Sequence, residues 1–310
     1  MSRQSFLPAS SQTLAQSLTE ETSINLLQQI QVKAIATSLS PNPIPTTYVS
    51  RTAPTSEASQ DATTGTPPIL LLHGFDSSVM EFRRLLPLLQ QQHPTWLVDL
   101  LGFGFTQRSS ALSFTPTEIK QHLYATWKTL IGGPMILVGA SMGGAAALDF
   151  CLTYPDAVAK LILLDSAGLD NAPDMGKMMV PPLGWMAAEF LRNPWVRQNI
   201  SRAAYFDKSL ASADALTCSR LHTTCPDWRR AMIAFTRSGG YTFLSETTVK
   251  SITCPTLVIW GRNDEILGTD DAEKFERAIA NSRLEWCDRC GHVPHLEQPE
   301  QTAAYILNFI

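Results

Sequence analysis

The stretch Met135-Ile-Leu-Val-Gly-Ala-Ser-Met-Gly-Gly-Ala-Ala-Ala-Leu-Asp-Phe150 decides how this chain is expected to fold. Its first four residues form a continuous apolar run, which is typical of a strand covered on both faces. The small residues at the other end favour a helix, so Ser141 falls on a tight turn between strand and helix. Gly139 and Gly143 remove side chains that would collide in so sharp a bend. A serine there projects its hydroxyl above the sheet, at a helix start that favours developing negative charge.

Short apolar runs of the same kind recur on both sides of this turn. They lie at residues 69–72, 95–98, 161–164, 256–260 and about 283–286, with a further short strand possible at 46–51. Most are separated by segments long enough for a crossover helix, which parallel pairing requires. The alternation predicts an α/β fold with a mostly parallel central sheet and helices on both faces.

The interval from 168 to 249 breaks this alternation. It holds no clear strand, and therefore predicts a helical cap inserted between two core segments, 46–167 and 250–310. Most of its large apolar side chains are expected to form the cap's own core, with a minority facing a binding site. They are Met175, Met178, Met179, Trp185, Met186, Phe190, Trp195, Phe206 and Trp228.

Residues 1–45 are expected to form an N-terminal extension. Apolar residues recur there near helical spacing, which predicts one amphipathic helix within about 13–39. Those residues are Leu14, Leu18, Leu27, Ile30, Ile35 and Leu39. Three prolines between 41 and 45 end the pattern. We expect this helix to pack on its own domain, and docking on a membrane or a partner is the alternative.

Composition and charge exclude several classes of protein. The chain has 310 residues, 44% of them hydrophobic, and a formal net charge of −4. No run of Lys or Arg forms a footprint for nucleic acid. No apolar stretch approaches the roughly 18 residues that span a bilayer, and the N-terminus lacks the features of a signal peptide. We therefore expect a cytoplasmic protein without nucleic-acid or membrane partners, whose oligomeric state the sequence leaves open.

The six cysteines do not indicate a metal site. Cys287-Asp-Arg-Cys290 has the spacing of a zinc or redox motif, but no second pair completes it and the motif follows a strand. We expect reduced cysteines and neither a metal nor a cofactor.

A serine hydroxyl needs a base to remove its proton, and His292 is the best placed of the six histidines. It follows the last predicted strand, and Gly291 lets the chain turn inward beside it. His295 is the rival. Alternatively, His295 is a structural histidine that forms hydrogen bonds.

The base in turn needs an acid that holds the imidazole in the right tautomer. Asp264 lies just after another predicted strand, 256–260, and gives the chain order Ser, Asp, His. Asp165, at the end of the run 161–164, could also reach the histidine and stays an alternative. Glu265 is adjacent but is expected to point elsewhere.

The fourth element is His73-Gly-Phe75, directly after the run 69–72. The backbone N–H of Phe75 could join that of Met142 in binding an oxyanion. Losing one such donor typically lowers the rate roughly a hundred- to thousandfold. His73 could itself be a base, but its position at a strand exit favours a structural role.

Taken together, these motifs resemble the α/β-hydrolase superfamily. The matching segments are His73-Gly-Phe75, Asp99-Leu-Leu-Gly-Phe-Gly104, Gly139-Ala-Ser-Met-Gly143, Gly261-Arg-Asn-Asp264 and Gly291-His-x-Pro-His-x-Glu-x-Pro299. The likeness spans about residues 67–167 and 250–310, and implies that the first histidine of the last motif, His292, is the base. Thr106 replaces the family's usual serine, the family's N-terminal hairpin is not obvious, and the cap matches no subfamily signature.

The resemblance implies a serine hydrolase that cleaves an ester-type bond of a small or medium lipophilic acyl substrate through an acyl-enzyme, with water as the second reactant. Ser141 argues against dehalogenases and epoxide hydrolases, which use aspartate. Carbon–carbon hydrolases usually carry a further glycine-rich segment that His73-Gly-Phe-Asp-Ser-Ser78 lacks, and they are disfavoured. An acyltransferase, a lyase, a carbon–carbon hydrolase and a non-catalytic binding protein stay open alternatives.

Overall fold

A computed structural model describes residues 7–51, 67–169 and 179–310, and an eight-stranded sheet runs through its centre. The strands are β1 (Gln31–Ile35), β2 (Ile44–Arg51), β3 (Ile69–Leu72), β4 (Thr95–Val98), β5 (Met135–Ala140), β6 (Val158–Leu164), β7 (Thr256–Gly261) and β8 (Ser282–Cys287). Their order across the sheet is β1-β2-β4-β3-β5-β6-β7-β8. β1 and β2 pair antiparallel, β2 pairs antiparallel with β4, and all the other pairs are parallel.

The inner parallel strands β3 and β5 are continuously apolar because helices cover both faces of the sheet. In β3, Ile69 and Leu71 belong to one hydrophobic core, while Leu70 and Leu72 belong to the other. Successive side chains of a strand point to opposite faces, so a strand with two covered faces cannot alternate with polar residues. The predicted α/β fold is confirmed.

Thirteen α-helices lie in the described residues. They are α1 (Ala9–Ala15), α2 (Glu21–Gln29), α3 (Leu86–Leu89), α4 (Pro116–Leu130), α5 (Met142–Thr153), α6 (Leu183–Arg192), α7 (Pro194–Ala204), α8 (Ala213–Arg220), α9 (Trp228–Arg237), α10 (Glu246–Val249), α11 (Asp270–Ala278), α12 (Pro294–Glu297) and α13 (Pro299–Phe309). None of them has the length and hydropathy needed to cross a membrane.

The prediction of one amphipathic helix within 13–39 is wrong. The chain forms α1 and α2, and then β1, which pairs with β2 as a hairpin at the edge of the sheet. Leu18, between the two helices, is buried in the same core as Leu27 and Ile30, so separate elements together imitate one helical period. The hairpin that was not obvious in the sequence is therefore present, and it begins inside the predicted extension.

The described part of the predicted cap, residues 179–249, is helical. It contains α6 to α10 and short 3-10 turns, and no strand. We use the name cap for these residues. The outer boundaries at 168 and 249 stay a prediction.

A buried carboxylate joins the N-terminal helices to the cap. Asp214 in α8 accepts hydrogen bonds from the N–H groups of Thr19 and Glu20 at 2.6 and 2.9 Å. It also accepts one from the Ser23 hydroxyl at 2.5 Å. Asp214 is 2% exposed, so water does not replace these bonds when the carboxylate is removed.

Asp214→Ala is expected to lower the free energy of unfolding by about 3 kcal/mol, because it leaves three donors without their acceptor. Urea unfolding followed by circular dichroism measures the change. Glu273→Ala, which removes an exposed carboxylate from a surface ion pair, is the control and is expected to cost less than about 1 kcal/mol. Equal effects of the two substitutions would contradict the assigned role of Asp214.

Candidate active site

Ser141 lies at the turn from β5 into α5, with φ 51° and ψ −120°. A Cβ on Gly139 would lie 2.3 Å from the carbonyl oxygen of Gly143, and one on Gly143 would lie 2.2 Å from that of Leu72. Only glycine therefore allows β3, β5 and α5 to approach this closely. The contacts hold Ser141 in a left-handed conformation that residues with a side chain rarely adopt.

His292 and Asp264 form a direct side-chain pair. His292 Nδ1 lies 2.8 Å from Asp264 Oδ2, and the two residues are 8% and 6% exposed. The other oxygen of Asp264 accepts hydrogen bonds from the N–H groups of Ile266 and Leu267 at 2.7 and 3.1 Å. The carboxylate is thus fixed by the loop after β7, and it turns the Nδ1 side of the imidazole toward itself. The second ring nitrogen, Nε2, is left for another partner.

Ser141 and His292 line one cavity of about 310 Å³. Both residues lie at this cavity because β5 and β8 are parallel, so that the loops after the two strands lie at the same edge of the sheet. The structure therefore brings the predicted nucleophile, base and acid together at one place.

Asp165, the alternative acid, lies behind this pair. It is fully buried, and one of its carboxylate oxygens accepts the N–H of Gly261 at 3.0 Å. Potential ligand atoms of Asp165, Asp264 and His292 all lie within 4.8 Å of one another, close enough to share a metal ion. Burial, and then the charge of Asp264, raise the pKa of Asp165 well above its ordinary value. The raised pKa favours the protonated form of Asp165, and Asp264 is the carboxylate that contacts the imidazole.

His295, the rival base, contacts a different carboxylate. Its Nε2 lies 3.2 Å from Glu81 Oε1, and the residue is 1% exposed. Burial would raise the pKa of Glu81, but the neighbouring His295 outweighs it and the pKa falls to about 2. The Glu81 carboxylate accepts the N–H of Gly74 at 2.9 Å. His295 is therefore part of the support of the turn at 73–75, in agreement with its structural interpretation.

His73 uses both of its ring nitrogens inside the protein. Nε2 accepts the N–H of Leu100 at 3.1 Å, so Nδ1 carries the proton and donates to the carbonyl of Gly74 at 2.8 Å. Burial lowers the pKa of His73 to about 4. A neutral histidine with two partners supports the chain and is not a free base, as its position at a strand exit indicated.

The two predicted oxyanion donors are the N–H groups of Phe75, which lies in a turn, and of Met142, which lies at the start of a helix. Met142 is the first residue of α5, so its N–H has no carbonyl one turn earlier in the helix to bond. Phe75 follows Gly74, which Glu81 holds in place. Both segments border the cavity, whose lining includes Gly74, Phe75 and Ser141.

Asp76 is an important residue that sequence reasoning missed. It follows Phe75 with φ 47° and accepts hydrogen bonds from three side chains of the cap. These come from Arg197 in α7, from His222 Nε2 at 3.0 Å and from Trp228 Nε1 in α9 at 2.8 Å. Burial would raise the pKa of Asp76, but the bonds from His222 and Arg197 outweigh it and lower the pKa. The partners lie 121 to 152 residues away along the chain, so no local pattern indicated them.

The cavity wall is mainly apolar and includes two arginines. Arg197 is bonded to Asp76, whereas Arg83 Nε lies 3.6 Å from a carboxylate oxygen of Glu20, and two buried nitrogens of Arg83 have no hydrogen-bond partner among the described residues. Much of the apolar lining comes from the cap and the loop around His292: Leu191, Ile200, Ala204, Val293 and Leu296. The site therefore suits an apolar group, and Arg83 is available to a polar one.

Comparisons with known proteins show what the chain is similar to. The profile of the "Alpha/beta hydrolase family" matches residues 69–305. The alpha/beta hydrolase domain-containing protein VTE7 of Arabidopsis thaliana is 35% identical over 244 residues, which cover 78% of this chain and 73% of that protein. The 2-hydroxy-6-oxo-6-(2'-aminophenyl)hexa-2,4-dienoic acid hydrolase of Metapseudomonas resinovorans is 28% identical, covering 78% of this chain and 83% of that protein. Monoacylglycerol lipase ABHD6 of Bos taurus is 28% identical, covering 79% and 75%.

Asp165→Asn is expected to raise the free energy of unfolding at about pH 8. The raised pKa keeps the Asp165 proton on the folded chain to a higher pH than on the unfolded chain, which loses it near about pH 4. Stability therefore falls as the pH rises above that value, and an amide, which has no proton to lose, removes this cost. The gain is expected to vanish near pH 4 or below, where both states hold the proton.

Urea unfolding of both proteins at the two pH values measures this effect. Asp156→Asn, at an exposed carboxyl, is the control and should show no such pH dependence. A stability gain for Asp165→Asn that is the same at both pH values would rule out a raised pKa for Asp165.

Proposed function

The chain belongs to the Alpha/beta hydrolase family, and from this premise we propose that it is a serine hydrolase of lipophilic esters. Ser141 is the nucleophile, His292 the base and Asp264 the acid that orients it. The observation that carries the proposal is the 2.8 Å contact between His292 Nδ1 and Asp264 Oδ2, on a histidine that lines the same cavity as Ser141.

The first step is attack of the Ser141 hydroxyl on the acyl carbonyl. His292 Nε2 takes the proton, because Nδ1 is held protonated by its contact with Asp264. The imidazolium that forms is stabilised by the Asp264 carboxylate. The loop bonds from Ile266 and Leu267 to that carboxylate keep its orientation fixed during the transfer.

The negative charge that develops on the carbonyl oxygen is bound by the N–H groups of Phe75 and Met142. Donors that are held in place before the reaction need no reorganisation when the charge appears. Glu81 and Asp76 fix the turn on either side of Phe75, and the elbow fixes Met142.

The tetrahedral intermediate then collapses to the acyl-enzyme. His292 returns its proton to the alkoxide leaving group, and the alcohol departs. Water enters, gives a proton to His292 and attacks the acyl carbon. The second tetrahedral intermediate then collapses: the bond from the acyl carbon to Ser141 Oγ breaks, His292 returns its proton to that oxygen, and the acid leaves.

Cavity size and lining support a substrate with a small or medium apolar acyl or alkyl group. About 310 Å³ is at the lower end of the range for small-molecule sites. Much of the lining is apolar, including Leu191, Ile200 and Leu296. Similarity to a protein named monoacylglycerol lipase also favours an ester.

Carbon–carbon hydrolysis is the second candidate, favoured by similarity to a protein whose name specifies a dienoic acid substrate. Such a substrate carries a carboxylate, which needs an available cation in the site. Arg197 is paired with Asp76, but within the part of the chain that the structure describes Arg83 has two buried nitrogens without a hydrogen-bond partner. The ester is therefore favoured by the apolar lining of the cavity and not by a lack of available cations. Assaying a dienoic acid of that class beside an ester series separates the two candidates, and product analysis with added alcohol separates hydrolysis from acyl transfer.

Wild-type protein is expected to react with a fluorophosphonate at Ser141 and to hydrolyse short p-nitrophenyl esters. Ser141→Ala should lose the label and about 10⁴-fold or more in kcat, because no other group can form the acyl-enzyme. Mass spectrometry of the labelled peptide and steady-state kinetics measure these effects.

Ser201→Ala is the matched control, since Ser201 is a second serine of the cavity wall. It should keep both the label and the hydrolysis. Hydrolysis by Ser141→Ala at the wild-type rate would refute the proposed function, and a wild type that takes no label would indicate a binding protein.

Asp264→Asn is expected to lower kcat about 10³- to 10⁴-fold, because an amide that donates to Nδ1 places the imidazole proton on Nε2, where the base must be free. Asp165→Asn should change kcat less than about tenfold, because Asp264 is the carboxylate that contacts Nδ1 and an amide oxygen can still accept the N–H of Gly261. Kinetics on one soluble ester compare the two variants. The reverse ranking would assign the acid to Asp165.

A further inference from the structure

The cap presents an apolar face to the outside. On α6, Leu183, Met186 and Phe190 are 52%, 64% and 61% exposed, and Trp195 at the start of α7 is 72% exposed. The spacing of the three α6 residues places them on one side of the helix. With such exposures, nothing within 7–51, 67–169 and 179–310 covers them. We call these four residues the outer face of the cap.

The composition of α6 departs from that of an ordinary surface helix. Its inner side is buried at Gly184 and Ala188. This is the side on which an ordinary surface helix is apolar. Its outer side should then be polar, yet Glu189 and Arg192 are its only charged residues. A helix that is apolar on both sides, with large side chains outward, indicates an apolar environment on its outer side.

The same two helices form a wall of the active-site cavity. Leu191 of α6 and Ile200 of α7 line it together with Ser141 and His292. Ile200 is also 46% exposed, so the cavity reaches the surface at α7. The opening and the outer face therefore belong to the same pair of helices.

The charge of the cap points to an anionic partner. Residues 179–249 hold eight Lys and Arg against five Asp and Glu, whereas the whole chain holds 24 against 28. Arg202 on α7 is exposed. Arg229, 48% exposed, lies over the ring of Trp185 at 5.5 Å and forms an exposed ion pair with Glu189 at 3.3 Å, which leaves part of its guanidinium open to solvent. Aromatic rings beside exposed arginines are typical of surfaces that lie at the headgroup level of anionic membranes.

We propose that the outer face of the cap docks on the surface of a lipid bilayer that contains anionic lipids. Its four apolar side chains enter the interfacial region, Arg202 and Arg229 contact the headgroups, and the cavity opening lies beside the lipid. A lipophilic ester then enters the cavity from the bilayer, and only this last step rests on the proposed function.

The sequence-based expectation of no membrane partner came from the lack of a spanning segment, which docking does not require.

Vesicle co-sedimentation of the full chain tests docking without reference to catalysis. Wild type is expected to bind phosphatidylcholine vesicles with about a quarter phosphatidylglycerol at least about tenfold better than pure phosphatidylcholine vesicles. Met186→Ser/Phe190→Ser/Trp195→Ser should weaken binding to the mixed vesicles by at least about tenfold, because it removes the apolar area that enters the interface. Ile24→Ser/Val32→Ser, at exposed apolar residues of α2 and β1, is the matched control and should bind as wild type.

Two results overturn the proposal: a triple variant that binds as well as wild type, or a wild type that does not bind the mixed vesicles. In the second case, a lipid-free dimer that the triple variant abolishes assigns the face to a second copy of the chain. Urea midpoints and hydrolysis of a soluble ester should match in all variants, since the substituted residues line no part of the cavity. A wild type that binds vesicles but hydrolyses no ester refutes the proposed function and leaves docking established.

Discussion

The backbone contact between β3, β5 and α5 is the constraint on which the site depends. At Gly139 and Gly143 there is no room for even one methyl group, because carbonyl oxygens of Gly143 and Leu72 occupy the space. This closeness forces the sharp turn that holds Ser141 at positive φ and directs the N–H of Met142 away from the helix. The nucleophile and one oxyanion donor are therefore set by the same packing. The strain at Ser141 is supported by the surrounding sheet and helix rather than by the turn alone.

Buried carboxylates organise the rest of the site, and each has a different task. Asp264 faces the imidazole, Glu81 supports Gly74, and Asp76 joins the oxyanion turn to the cap. Their different environments keep the tasks apart. Asp76 and Glu81 have donors that lower their pKa, whereas burial and the neighbouring Asp264 raise the pKa of Asp165. A second negative charge beside Asp264 is costly in so buried a place, and this cost favours the protonated form of Asp165.

The cap acts on two sides. Its inner residues line the cavity, and Arg197, His222 and Trp228 bind the carboxylate of Asp76, next to Phe75. Its outer face is apolar and belongs to the same helices. Any change in the position of these helices therefore reaches both the cavity opening and the oxyanion turn, because α7 takes part in each.

The sequence by itself determined the elements whose signals are local. Strands covered on both faces are continuous apolar runs, the elbow needs its two glycines, and parallel strands bring the residues after them to one edge. From these facts the α/β fold and the meeting of Ser141, Asp264 and His292 could be predicted.

Only the tertiary structure decided the rest. Leu18, Leu27 and Ile30 come from different elements that share one core, so their spacing imitated a single helix. The cap tryptophans and methionines were expected mostly in the cap's own core, yet Trp185, Met186 and Trp195 are exposed, because composition does not show which side of a helix a partner covers. The partners of Asp76 lie more than a hundred residues away, and contacts over such distances exist only after the chain has folded.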